Sequence, residues 1–110
     1  MAVVRVDAIR TVSHGSITSS YTALGTPLTK NWRIFKITNN TDGDMLFSLD
    51  GTTDNIFVPA GSFTLYDLAT NSDSVQSDLF VMQIGTQFYI KYSTAPTLGA
   101  VWLEGLYAKV

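Results

Sequence analysis

Four aspartates, Asp42, Asp44, Asp50 and Asp54, fall within residues 42–54. Carboxylates gathered this closely could surround a calcium ion, which takes six to eight oxygen ligands. The calcium-loop pattern is not met, however, because Met45 and Leu46 stand where ligands would be needed. Asp42-Gly43 and Asp50-Gly51 are also the ordinary composition of tight turns, where glycine supplies positive φ and aspartate bonds its own backbone. The single histidine, His14, lies next to Ser13 and two residues before Ser16. Nucleophilic catalysis needs such a hydroxyl and imidazole, but also an orienting acid and a pair of oxyanion donors. No acid is placed nearby and no G-x-S-x-G elbow exists. Turn residues at a strand end are therefore the expected role of this segment. Glu104 is the one glutamate, set in an alternating apolar run. A glycosidase would need a second carboxylate of opposite protonation preference beside it.

With no cysteine and one histidine, thiolate zinc sites, cysteine nucleophiles and multi-histidine metal centres are excluded within one chain. Leu24-Gly25-Thr26-Pro27 and Gly85-Thr86 lack the spacing of a phosphate cradle. Asn39-Asn40-Thr41 matches the glycosylation acceptor pattern, a short pattern that recurs by chance. The expectation is no catalytic residue, no metal, no cofactor and no enzymatic activity.

The scaffold that would hold these residues is short. The chain has 110 residues and 12.0 kDa, 7 basic against 9 acidic residues, and a net charge of −2. Length bounds it to one domain spanning 1–110. Hydrophobic residues reach 45% and aromatic residues 12%, which excludes a disordered chain. Charged residues reach only 15%, where a soluble domain commonly carries about 25%. Arg33, Lys36 and Lys91 stand isolated, so no electrostatic footprint for nucleic acid exists. Apolar runs last a few residues, far below the roughly 20 that span a bilayer as a helix, and no membrane partner is expected.

The dominant period is two. Met45/Phe47/Leu49, Ile56/Val58, Phe63/Leu65, Phe88/Ile90 and Val101/Leu103 recur on alternate positions, in segments rich in β-branched and aromatic residues. Turn chemistry separates them: Asn39-Asn40-Thr41-Asp42-Gly43, Asp50-Gly51 and Pro59-Ala60-Gly61-Ser62. The pattern predicts strands near 32–38, 44–50, 55–58, 63–67, 79–82, 86–92 and 100–109, with 68–78 as the longest loop. Ala2–Val12 reads as one further strand with Val4, Val6 and Ala8 on one face. Residues 1–25, Ser/Thr-rich after His14, read as an edge-strand segment or as an arm reaching a neighbour. Strands about ten residues apart without helical periodicity predict an all-β, single antiparallel β-sandwich of jelly-roll type.

Residues 33–51 resemble small virion proteins of tailed bacteriophages, in the rhythm of an apolar strand followed by Ser48-Leu49-Asp50-Gly51. The likeness continues through Asn55–Asp67 with Pro59-Ala60-Gly61-Ser62 and Tyr66-Asp67, then through Gly85–Lys91 and Gly99–Tyr107, about two thirds of the chain. The resemblance implies a β-sandwich structural subunit carried in many copies on a phage particle, its partners being other virion proteins of the capsid, portal or tail. Capsid decoration, head–tail joining and tail or fibre attachment all use such domains. Capsid decoration or head–tail joining is the leading expectation, in a virion assembled in the host cytoplasm. A tail or baseplate adaptor and a host-glycan binding module are the alternatives.

The residues themselves point to assembly as well. Phe57 lies between Ile56 and Val58, and Tyr89 between Phe88 and Ile90. In a regular strand these neighbours face opposite ways, so both sheet faces carry apolar groups. Interfaces are enriched in aromatic residues and depleted of charge. Phe57, Tyr66, Phe80, Tyr89, Tyr92, Trp102 and Tyr107 are therefore the candidate interface residues, and a homo-oligomer is expected.

Overall fold

The computed structural model describes residues 3–68 and 81–109. Phe80, the loop beyond Leu68 and the first part of the expected 79–82 strand lie outside the described residues. Alternation of small polar and branched apolar residues yields strands β1 (Val3–Val6), β2 (Arg10–Ser13), β3 (Thr22–Ala23), β4 (Trp32–Thr41), β5 (Met45–Ser48), β6 (Ile56–Val58), β7 (Phe63–Asp67), β8 (Tyr89–Tyr92) and β9 (Gly99–Lys109). A short 3₁₀ turn, His14–Ser16, follows β2.

Every strand pairing is antiparallel. The first sheet has the order β1-β9-β4-β7, with β2 also on β9, and the second has the order β3-β8-β5-β6. β1 and β2 occupy successive stretches of one edge of β9, so they act as one interrupted strand. Counted so, eight strands form two four-strand layers, with the first and last strands adjacent and the chain crossing between layers. This is the jelly-roll sandwich.

The interruption has a simple origin. Val6 pairs with Leu106 and Arg10 with Leu103. Asp7, Ala8 and Ile9 thus face only Glu104 and Gly105, and the extra residue makes a bulge. The Asp7 amide still bonds the Gly105 carbonyl at 2.9 Å. The single strand expected over 2–12 is therefore broken between Asp7 and Arg10, while Asp7, still in register on the inward row beside Gly105, turns its carboxylate to Trp32 Nε1, 2.9 Å away. Arg10 closes the arrangement. Its guanidinium lies 5.2 Å from the Trp32 ring centroid, 3.6 Å from Asp7 and 3.1 Å from the Thr26 carbonyl.

The core lies between the layers. Phe35 and Ile37 of β4 and Val101 and Leu103 of β9 meet Met45, Phe47, Val58 and Ile90 of the second sheet. Ile17, Leu24 and Leu28, from the segment before β4, are buried with them. Phe88 joins Trp32 and Phe35 at ring separations of 6.0 and 5.4 Å. Trp32 rests on β9 where Gly105 has no side chain, since a methyl group there would sit 2.1 Å from Trp32 Cδ2.

β4 runs three residues further than its apolar pattern suggests, through Asn39 and Thr41. Both side chains point inward and are fully bonded. Asn39 Nδ2 donates to the carbonyls of Gly43, Val58 and Pro59 at 2.8, 3.0 and 3.2 Å. Its Oδ1 accepts from Thr41 N and Thr41 Oγ1 at 3.1 and 2.6 Å. Residues 86–88 lie outside β8, although Phe88 is buried. Met82 forms a bridge with Trp32 rather than part of a strand.

Candidate functional site

Parity along the ladders settles what each sheet shows to solvent. In the first sheet the inward positions are those of Phe35, Ile37, Val101 and Leu103. The outward set is then Val4 and Val6 on β1, Thr11 on β2, Trp102, Glu104, Leu106 and Ala108 on β9, Ile34, Lys36 and Thr38 on β4, and Phe63, Leu65 and Asp67 on β7. Val4, Val6, Phe63 and Leu65 each keep between 57% and 72% of their surface exposed. Ile34, Trp102 and Leu106 are half-buried between them. A face that should meet water is apolar across four strands. Exposed apolar residues scattered singly are ordinary, but a contiguous face of them marks a docking surface.

One charged couple interrupts this face at its middle, and Asp67 stands at its β7 edge opposite Ile34. Lys36 and Glu104 are direct cross-strand partners between β4 and β9. Lys36 Nζ lies 4.8 Å from the centroid of the Phe63 ring, and among the described residues no ion pair joins it to Glu104.

The second sheet is fastened differently. Outward of β5, β6 and β8 lie Leu46, Phe57, Tyr89 and Lys91. Phe57 is 53% exposed. The Tyr21 hydroxyl donates to Asp54, while Lys91 sits 3.4 Å from Asp54 and 4.6 Å from the Tyr21 ring centroid. This triad ties the β5–β6 loop to the strand edge at β3. Burial, followed by the neighbouring Asp54 carboxylate, raises the Tyr21 hydroxyl above the ordinary tyrosine range, and the hydrogen bond from Tyr21 lowers Asp54.

Asp42, Asp44 and Asp50 each serve a separate turn. Asp50 accepts from Thr53 N at 2.7 Å, Thr52 N at 2.8 Å, Thr53 Oγ1 at 2.7 Å and Ser48 Oγ at 2.8 Å. These donors, the Thr53 amide first, hold it far below the usual carboxylate range. Asp42 is lowered by the Thr97 hydroxyl and amide, and it staples the β4–β5 turn to the β8–β9 loop. Asp44 accepts from Ala60 N at 2.9 Å. Asp7 is pushed up by burial but pulled further down by Trp32 Nε1, Ala8 N and Arg10. No group of three or more His, Cys, Asp or Glu among the described residues is placed to hold a metal ion. His14 Nδ1 is 3.1 Å from the Gly99 carbonyl, in the turn after β2.

The residues named from the sequence divide between these environments. Trp102 lies on the outward apolar face, flanked by Thr11 and Thr38. Phe57 and Tyr89 lie on the outward face of the second sheet, where a methyl group on Gly51 would come within 3.5 Å of the Tyr89 ring. Tyr66 lies on the inward row of β7 and stacks on Phe35 at 5.0 Å, yet keeps 38% of its surface exposed. Tyr92 and Tyr107 pack against the core. Phe80 is outside the described residues. Phe63, Leu65, Val4 and Val6 were not among the named residues, although the Phe63-Thr64-Leu65 alternation carries the signal. Asn39 reads from sequence as a turn residue, and its buried hub is visible only once β6 and β7 are placed.

No family model and no curated protein matches the chain. Among solved structures it is similar to the Dit protein (gp 19.1) of SPP1, described as a paradigm of the hub adsorption apparatus in Gram-positive infecting phages. The identity is 15% and the TM-score 0.43, over 97% of this chain and 49% of that one. The chain spans about half the length of that protein.

Proposed function

We propose that this chain is a non-enzymatic structural subunit of a tailed-phage virion, docked through the outward face of its first sheet. One observation carries the reading: Val4, Val6, Leu106, Ile34, Leu65, Phe63 and Trp102 form an apolar layer outside a sheet whose other face already fills the core. Covering that layer removes apolar surface from water at roughly 25 cal/mol per Å². The low charge content and the sequence resemblance to small virion proteins support the same reading. The polar side chains that could do chemistry are spent on turns: Asp42, Asp44, Asp50 and Asp54 each bond a different segment. The subunit's place is the capsid surface or the head–tail joint, in multiple copies.

Reconstruction of the particle tests this. The expected result is many copies of the jelly roll on the shell, or a closed set at the neck, each with its first-sheet face against a neighbour. A ring lower on the tail would replace this placement with an adaptor. Particles lacking the chain, or carrying it with Phe63 and Val6 facing solvent, would overturn the reading.

A further inference from the structure

The outward face of the first sheet is self-complementary, and we infer that its occupant is a second copy of this chain, related by a two-fold axis lying along the strands between β4 and β9. The inference rests on the proposed docking role of that face and names its partner. Cross-strand register supplies the geometry. Glu104 lies opposite Lys36, Leu106 opposite Ile34, and Trp102 opposite Thr38. A two-fold axis parallel to the strands and midway between β4 and β9 exchanges the two sides of the face. It therefore sets Lys36 of one copy over Glu104 of the other, twice, and Ile34 over Leu106, with Asp67 and Val6 of the same row meeting at the rim, where the carboxylate keeps contact with water. An axis perpendicular to the strands through the same row would instead set Lys36 over Lys36 and Glu104 over Glu104. Like charges brought together in this way are costly, so the charge couple selects the first arrangement.

The unengaged state of the couple fits this role. Lys36 turns its ammonium over the Phe63 ring instead of toward Glu104, which leaves the Glu104 carboxylate available to a neighbour's lysine. The size fits as well. Four strands at about 4.8 Å spacing and the span from Ala100 to Ala108 at about 3.3 Å per residue give a projected area of roughly 500 Å². Pleating and protruding side chains raise the accessible area toward the roughly 800 Å² per partner of a standard interface. Sheets stacked with strands nearly aligned are an ordinary packing mode, at about 10 Å separation and about −30°. A C2 contact needs one patch that complements itself, and this face meets that requirement.

Charge exchange tests the arrangement by analytical ultracentrifugation of the purified chain. Lys36→Glu gathers four carboxylates at the centre of the contact, and Glu104→Lys gathers four ammonium groups. Each single variant should weaken dimerisation by about 100-fold or more. The double variant Lys36→Glu/Glu104→Lys restores opposite pairs and should restore the dimer, which a folding defect would not do. Circular dichroism of each variant confirms that the sandwich is retained. A wild-type chain that stays monomeric at about 100 μM, or single variants that dimerise as well as wild type, would overturn the inference. So would a double variant as weak as the singles. Particle incorporation separates this from the functional reading. A monomeric chain that still enters particles sinks the two-fold contact alone, whereas a dimer absent from particles sinks the virion role alone.

Discussion

Asn39 shows how one buried polar side chain can hold several loops. Its amide donates to three carbonyls from two different turns, and its oxygen accepts twice from Thr41. Replacing it by Asp keeps the shape but sets a carboxylate against those three carbonyls. Asn39→Asp should cost about 3–5 kcal/mol, read from the urea midpoint of unfolding. Asp7 is the other residue on which the local geometry turns, and its sign can be worked out. Its pKa is lower in the folded chain than in the unfolded one, with burial opposing and the Trp32, Ala8 and Arg10 donors prevailing. The contribution is therefore present above the unfolded value of about 4 and is lost as pH falls through the lower folded value. Asp50, Asp42 and Asp54 shift in the same direction. The unfolding midpoint should stay level from pH 7 to about 5 and fall below about 4, with a shallower fall in Asp7→Asn. Tyr21 acts at the other end of the scale. Its raised value makes it stabilising below the unfolded pKa of about 10, and that stabilisation fades as pH rises beyond it. Tyr21→Phe should remove this alkaline slope.

At the scale of elements, the junction of the interrupted first strand with β9 is the most exacting part of the fold. Gly105→Ala would drive a methyl group into Trp32. Trp32 is fully buried against β9, so the clash has little room to relax and should cost about 2 kcal/mol or more. A lower melting temperature and an altered near-ultraviolet dichroism of tryptophan would register it. Deleting residues 1–25 removes Ile17 and Leu24 from the core, the Asp7 acceptor from Trp32, and the neighbour from one edge of β9. The shortened chain should lack cooperative unfolding by far-ultraviolet dichroism. The sandwich itself was legible in the sequence, because turn residues and alternation mark β4 through β9 in order. Three things were not. The Val4/Val6/Ala8 alternation continues smoothly through Asp7, so nothing local announces the bulge. Asn39 and Thr41 have the composition of a turn, and only the carbonyls of Val58 and Pro59, distant in sequence, make their burial inside β4 favourable. Strand parity was the third difficulty. Both parities of β7 are apolar, Phe63 and Leu65 against Tyr66, so periodicity alone could not say that Tyr66 stacks inward on Phe35 while Phe63 faces out.

At the scale of the whole molecule, the low charge content acquires a place. The first sheet presents apolar side chains on both sides, and the second fastens its outer surface with Tyr21, Asp54 and Lys91. Substituting Val6 and Leu65 together by Ser should leave the melting temperature nearly unchanged, since surface substitutions usually stay within about 0.5 kcal/mol each. The same pair should abolish association with particles and with other copies, measured by co-sedimentation. The position of β9 has a kinetic consequence. It lies between β4 and the interrupted β1–β2 strand, and pairs residue 3 with residue 109. During synthesis β9 leaves the ribosome after every strand it joins. Until then β1, β2 and β4 share no neighbour, and Trp32 has neither its β9 floor nor a settled Asp7. The first sheet therefore closes only once β9 has emerged, by joining segments about a hundred residues apart in sequence, which places folding in the slow milliseconds-to-seconds range of high contact order.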